Sequence, residues 1–272
     1  MTQVVVITGA ASGFGRALAL QWAKHGASIC VADINKVGGQ ETCDLVVKAG
    51  GQAMFCRCDV TSDADAEHLR DKVLEQWGRV DVVINNAGVA SADRIEDEPI
   101  AQWQWVIEIN LLSVVRMAKV FTPVFKQQNQ GHFLNVASQA GITPIPYMSS
   151  YNVTKSAVVA LSETHRLELA DFNIGVSVMC PGFFSTNLGD SLKTQLPVMK
   201  KLLEKMLTRS DMTAEQVAQI AYDGVAENKY MILSHKDGKQ IFTFKRLFPN
   251  NWYFNSVLKR TRRLRQQVNE NR

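Results

Sequence analysis

Tyr151 and Lys155 stand four residues apart in the run Tyr151-Asn152-Val153-Thr154-Lys155. On a helix, that spacing projects both side chains from one face. An ammonium near a phenol stabilises phenolate and draws the phenol pKa down from its reference of about 10. Tyr151 is then expected to act as a general acid or base near neutral pH. The same spacing also suits a surface Tyr and Lys with no chemistry, so the weight falls on what accompanies them.

A second chemical signal lies near the start. Residues 4–8 form an apolar run that leads into Gly9-Ala10-Ala11-Ser12-Gly13-Phe14-Gly15, and a helical pattern follows. Glycines there let the backbone turn tightly and approach a pyrophosphate, and the free N–H groups of a helix N-terminus favour an anion. The spacing is G-x3-G-x-G rather than G-x-G-x-x-G. An ordinary strand–helix turn could carry the same glycines. The next apolar run ends at Asp33, 18 residues after Gly15. A carboxylate at that place accepts hydrogen bonds from a ribose diol and repels a 2′-phosphate. No arginine follows, since Ile34 and Asn35 come next, and Arg16 sits inside the helix. NAD is therefore expected, with NADP disfavoured by Asp33.

These residues need a scaffold. Short apolar runs at 4–8, 28–32, 53–58, 80–85, 132–137, 175–180 and 230–233 read as strands. Helix-length amphipathic segments fill 14–25, 37–49, 63–77, 99–127, 152–171 and 213–227. Val- and Ile-rich runs without clean alternation suit strands buried on both faces. Strand–helix alternation at this spacing predicts an α/β fold, a doubly wound parallel sheet of about seven strands. No repeat and no Pro-, Gly- or Ser-rich linker divides the chain. The expected organisation is one catalytic domain over 1–235, with a lid at about 183–212, and a basic extension over 236–272.

Charge separates those two parts. Residues 1–235 carry 20 basic and 24 acidic side chains, while 236–272 carry 10 basic and 2 acidic. The formal net charge of +4 thus comes from the end of the chain. A nucleic-acid binder with a basic working surface throughout is disfavoured. The five cysteines (Cys30, Cys43, Cys56, Cys58, Cys180) form no CxxC, and the five histidines (His25, His68, His132, His165, His235) have no metal-ligand spacing. Reduced, buried thiols and no metal are expected. The N-terminus lacks a basic region before an apolar core. The longest apolar stretch, 109–125, is interrupted by Arg116 and Lys119, short of the roughly 18 residues of a membrane span. A cytoplasmic protein is expected.

Further motifs occur in order: Asn85-Asn86-Ala87-Gly88 after the fourth strand, Asn110 in the fourth helical segment, and Ser138 ending the fifth strand, 13 residues before Tyr151. Pro181-Gly182-Phe183-Phe184-Ser185-Thr186 follows the sixth strand. Together with the glycine turn and the Tyr–Lys pair, they make residues 2–235 closely similar to the short-chain dehydrogenase/reductase family. The resemblance implies a Rossmann fold and an oxidoreductase that interconverts an alcohol and a ketone or aldehyde. Ser138 would orient the substrate oxygen, Tyr151 would exchange the proton, and Lys155 would bind the nicotinamide ribose. Asn110 would hold a water that relays protons to Lys155. Gly9, Ser12, Gly13, Phe14 and Gly15 would receive the pyrophosphate, and Asp33 the ribose. Asp59, beside Val60, matches the adenine-binding position. Asn86, Ala87 and Gly88 would line the cofactor cleft. Pro181, Gly182, Phe184 and Thr186 would cover the nicotinamide, Phe184 through its backbone. A non-catalytic, dinucleotide-sensing protein is the other class; such relatives typically lose the Tyr or the Lys, and both are present here.

The family pattern also places a mobile lid after the Pro-Gly turn. Leu192, Leu196, Met199, Leu203, Met206 and Leu207 fit one helical stripe. That stripe either packs on the protein's own core or forms an apolar lid. Residues 141–148 would form the opposite wall, with Tyr147 available for a specific contact. An apolar alcohol or carbonyl substrate is favoured, with reduction of a long-chain acyl or carbonyl compound as the alternative. The resemblance further implies a homodimer or homotetramer through the helices carrying Asn110 and Tyr151. Trp103 and Trp105 belong to that surface or to the core.

At the end of the chain, Lys236-Asp237-Gly238-Lys239 reads as a hairpin turn between strands at 230–233 and 240–244. Beyond it, Phe254, Val257, Leu258, Leu264 and Val268 form an apolar stripe on a basic amphipathic helix with Lys259, Arg260, Arg262, Arg263 and Arg265. Packing on its own subunit or a partner, peripheral membrane contact through 252–268, and binding of a polyanion all remain open.

Overall fold

The structure, a computed structural model, describes residues 2–208 and 210–270. Seven parallel strands form its sheet: β1 Val4–Thr8, β2 Ser28–Asp33, β3 Gln52–Arg57, β4 Val82–Asn85, β5 Gly131–Val136, β6 Ile174–Met179 and β7 Met231–Ile232. Their spatial order is β3-β2-β1-β4-β5-β6-β7. The chain therefore builds outward from β1 in one direction, then returns and builds in the other. A crevice opens at the carboxyl ends of the strands where that reversal occurs, between β1 and β4.

The helices are α1 Gly13–Ala23, α2 Lys36–Lys48, α3 Asp63–Trp77, α4 Ile100–Ile107, α5 Ser113–Gln128, α6 Gln139–Ile142, α7 Ser149–Glu168, α8 Pro197–Thr208, α9 Ala214–Ala226, α10 Lys236–Leu247 and α11 Asn250–Glu270. They cover both sheet faces, which is why the strands read as continuous apolar runs. Alternate β1 residues point to opposite sides. Val5 and Ile7 pack with Leu18 and Trp22 of α1 and Val217 and Ala221 of α9. Val4 and Val6 pack with Leu69 and Val73 of α3 and Phe121 and Phe125 of α5. Local signals set the helix ends. Asn35 and Ser62 accept hydrogen bonds from the backbone N–H groups of Gly38 and Asp65, each at 3.1 Å, and Thr213 closes a capping box on α9.

The helical segment expected at 99–127 is interrupted. Between α4 and α5 lies a five-residue π-turn, Glu108–Leu112. Such turns insert a residue into an α-helix and re-aim the side chains around it. Here the turn carries Asn110, which is buried and directed at the Val89 backbone.

The end of the chain departs from the sequence expectation. No hairpin forms at 236–239: β7 is only two residues long, and His235 leads directly into α10. Gly238 serves a close approach rather than a turn. A Cβ there would lie 2.3 Å from Gln139 Oε1. Lys245 donates to the Ile142 carbonyl at 2.7 Å, fixing α10 over α6. The inward face of α11 also differs. Tyr253 and Val268 are buried with Val257 and Leu264 partly so, while Phe254 and Leu258 stay exposed. The true inward stripe is Tyr253, Val257, Thr261, Leu264 and Val268, about one residue around the helix from the predicted one.

All five cysteines are free and buried. Among the described residues, no helix is long and apolar enough to cross a membrane.

Candidate active site

The cleft at the strand ends has a free volume of about 250 Å³ and runs from Asp33 to Tyr151. Its first end is backbone. Gly9 and Gly13 adopt left-handed φ values of +66° and +53°, open to glycine at low cost. A Cβ on Gly15 would lie 2.1 Å from the Gly9 carbonyl oxygen. Ser12 caps α1 in extended conformation without using its side chain for a cap bond. The helix N-terminus therefore faces the cleft with polar groups available to an anion. Phe14 packs edge-on against Phe184, with centroids 5.0 Å apart, so the glycine turn also touches the segment after β6.

Asn86 clamps this turn to β4. Its Nδ2 donates to the carbonyls of Thr8 and Gly9 at 3.0 and 3.1 Å. The Thr8 hydroxyl in turn accepts from the Asn86 and Ala87 N–H groups. Asp33 is held in place by the N–H groups of Ala11 and Asn35, each 2.9 Å from one of its oxygens. Each oxygen keeps a further lone pair, so a diol can still be accepted. The arrangement fits a dinucleotide: rigid turn, open helix end and an anchored carboxylate. Asp59 and Val60 lie outside the cleft lining. The Asp59 carboxylate accepts from the Thr61 N–H and hydroxyl, at 2.9 and 2.7 Å, and these bonds hold it below the usual carboxylate range.

At the far end stand the groups that could handle a proton. Ser138, just after β5, accepts from Ala140 N–H at 3.1 Å and lines the cleft together with Tyr151. Tyr151 lies in the first turn of α7 and is buried. The Lys155 ammonium donates to the Val136 carbonyl at 2.9 Å and lies 5.9 Å from the Tyr151 ring centre. Burial pushes the Lys155 pKa down to about 8. Burial also raises the Tyr151 phenol, and its bond to Ser138 offsets that only in part. The expected lowering of Tyr151 by Lys155 is thus absent, because desolvation outweighs an ammonium aimed at a carbonyl.

Asn110 stands behind Lys155. Its amide pairs with the Val89 backbone, Oδ1 accepting at 2.8 Å and Nδ2 donating at 3.0 Å. A Cβ placed on Gly88 would lie 3.3 Å from both Asn110 Oδ1 and Lys155 Nζ. The absent side chain keeps a gap between those two polar atoms. Pro181, Gly182, Phe184 and Thr186 all line the cleft, as do Ser12, Phe14, Asn86, Ala87 and Gly88.

Several participants were missed from sequence. Glu98 is buried, and its Oε1 accepts from Ser150 at 2.5 Å and from Ser91. This carboxylate ties the start of α7, next to Tyr151, to residues 91–98. The segment 91–93 is in turn stitched to residues 193–195. Ser91 bridges Lys193, and Asp93 accepts from Gln195 N–H at 2.7 Å. Lys193 also covers the Trp105 ring at 3.7 Å. His235 accepts from Gly182 N–H at 3.1 Å. No motif marks these residues, since each acts through a partner distant in sequence.

The surroundings of Tyr151 are apolar. Tyr151 clusters with Ala92, Met148, Leu196, Met199 and Val268, with Ile145, Tyr147, Leu192, Leu202 and Leu264 around them. Beside it, a pocket is lined entirely by apolar side chains, among them Phe183, Leu203 and Met206. The apolar stripe of Leu192, Leu196, Met199, Leu203 and Leu207 packs into these satellite clusters rather than into the cores flanking the sheet. Tyr147 adopts φ +65°, costly for a bulky residue and often a sign of a constrained functional site.

The family described as short chain dehydrogenase matches residues 3–197. A CLA biosynthesis dehydrogenase/reductase from Lactiplantibacillus plantarum is 30% identical over 253 residues, covering 86% of this chain and 88% of that protein. A short-chain dehydrogenase/reductase from Burkholderia phymatum, solved in complex with NAD, is 31% identical with a TM-score of 0.86, covering 90% of this chain and 93% of that one. The alcohol dehydrogenase of Thermococcus sibiricus, complexed with 5-hydroxy-NADP, is 28% identical with a TM-score of 0.73, covering 86% and 96%.

Proposed function

Because this chain belongs to the short-chain dehydrogenase family and is therefore an oxidoreductase of that kind, we propose that it interconverts an apolar alcohol and the matching ketone or aldehyde with NAD. The observation that carries this reading is the meeting of Ser138 and Tyr151 at the end of a cleft that begins at Asp33.

Bound NAD would accept or return the hydride; the protein must orient the substrate and manage one proton. Gly9, Ser12, Gly13, Phe14 and Gly15 would hold the pyrophosphate, Asp33 the adenosine ribose and Lys155 the nicotinamide ribose. Pro181, Gly182, Phe184 and Thr186 would face the nicotinamide. Ser138 and Tyr151 converge on one substrate oxygen and fix its position. Tyr151 gives its proton to that oxygen in reduction and takes it in oxidation. With a pKa near 8, Lys155 keeps most of its charge at neutral pH, where it would hold the nicotinamide ribose. A water in the gap beside Gly88, between Asn110 and Lys155, would pass the proton onward.

Solved relatives are bound to NAD in one case and to an NADP derivative in another. The choice of NAD here rests on Asp33, whose anchored carboxylate would repel a 2′-phosphate. The apolar preference rests on the side chains around Tyr151. Residues 1–235 act as the catalytic domain, and the basic extension that follows would close its substrate side through α11, Asn250–Glu270. Exposed Ile100 of α4 and Val153 and Leu167 of α7 favour a homodimer or homotetramer through those helices.

Steady-state assays of secondary alcohols of increasing chain length, with NAD and with NADP, test the reading. The expected result is a higher kcat/KM with NAD and with longer apolar alcohols. Best turnover on short polyols, or a preference for NADP, would overturn it.

A further inference from the structure

Helix α11 has two faces of opposite character. Its inner face enters the substrate end: Leu264 and Val268 belong to the apolar cluster around Tyr151 and Met199. Arg94 pins that end of the helix by donating to the Val268 carbonyl. The outer face exposes Trp252, Lys259, Arg262 and Arg263, with Phe254 and Leu258 on its flank. Where α10 meets α11, Leu247 is 74% exposed and Phe248 43%. The rings of Phe244, Phe248 and Trp252 form a row, with successive centroids 4.7 and 6.0 Å apart.

The charges of this face are not paired among the described residues, and its stacked rings stay partly exposed. Among the described residues, no carboxylate lies within ion-pair distance of Lys259, Arg260, Arg262 or Arg263. Residues 236–272 hold ten basic and two acidic side chains. A two-fold contact between copies through this face would set the basic patch against itself. Exposed aromatics beside unpaired arginines instead match a lipid surface, where rings sit at the headgroup level and cations meet anionic lipids.

We propose that the α10–α11 corner and the outer face of α11 dock this protein on an anionic lipid bilayer. Phe248 and Trp252 enter the interface while Lys259, Arg262 and Arg263 contact the headgroups. The docked helix then separates the bilayer from the apolar chamber, so an apolar substrate leaving the membrane meets the site across one helix. That last consequence rests on the proposed function; docking itself does not.

The test is co-sedimentation of the full chain with phosphatidylcholine vesicles and with vesicles that also contain phosphatidylglycerol. Binding is expected only to the anionic vesicles and weakens as salt rises. Replacing Lys259, Arg262 and Arg263 by Gln should lower the partition coefficient about fivefold per charge removed. Phe248→Ala with Trp252→Ala should lower it as well, and thermal melts of all variants should match the parent. Absence of binding, equal binding to neutral vesicles, or an unchanged triple variant would overturn the proposal. So would variants that instead alter the molar mass in light scattering, which would make this face a contact between copies. Loss of alcohol turnover with vesicle binding intact would fault the redox reading and leave the docking in place.

Discussion

One end of the cleft is made of backbone and the other of side chains. At Gly9–Gly15 the chain leaves no room to vary: a single added carbon on Gly15 strikes a carbonyl at 2.1 Å. At the substrate end, Ala92, Met148, Leu196, Met199 and Val268 come from four separate segments and meet through apolar side chains. A backbone cradle ties function to a few positions at fixed spacing. A side-chain chamber spreads it over many positions, each replaceable by something of similar size. The proposed proton chemistry at Ser138, Tyr151 and Lys155 stands between the two.

This contrast predicts a gradient of sensitivity. Tyr151→Phe removes the proton donor without emptying much volume. It should lower kcat by roughly 10²- to 10⁴-fold, with NAD affinity by fluorescence titration unchanged. Normal turnover in that variant would break the middle of the gradient.

Lys155 should show itself in stability. Its pKa falls from 10.5 free to about 8 in the folded chain. The folded state therefore holds fewer protons between those values, and its stability rises as pH climbs from 8 towards 10.5. Below pH 8 the full cost of burying the charge is present. Lys155→Met should remove up to about 3 kcal/mol of that rise, read as the difference between urea melts of parent and variant across the range.

Gly15→Ala forces the turn to shift. A loss of roughly 1–3 kcal/mol is expected, as for overpacking of a tight site, with KM for NAD raised more than KM for the alcohol. At the apolar end, Leu264→Ala should act least. It should change the preferred alcohol chain length a few-fold and leave KM for NAD alone. An equal effect of Leu264→Ala on both constants would erase the contrast between the two ends.

The same contrast explains what could be read from the sequence. Gly9, Gly13, Gly15, Asp33, Ser138, Tyr151 and Lys155 were legible because turn geometry and proton transfer admit few residue types. The parallel, doubly wound sheet of about seven strands followed from buried Val- and Ile-rich runs between helices. The basic tail was harder. Residues 236–247 lack a strong period, and Gly238 suits a turn as well as a close helix contact. In α11, Tyr253-Val257-Leu264-Val268 and Phe254-Val257-Leu258 offer neighbouring stripes. The surface of α8 and residues 92–94 selects between them, and no local signal names that surface. The Tyr151 pKa was misjudged for a related reason: spacing places Lys155 nearby but does not reveal how deeply both are buried.

The stitch between 91–93 and 193–195 limits how the lid can move. Because Lys193 bridges Ser91 and Gln195 is hydrogen-bonded to Asp93, the root of the lid travels with the body. For the proposed lid over 183–212, this stitch puts the pivot beyond Gln195 and makes α8 the arm that would swing, past Val268.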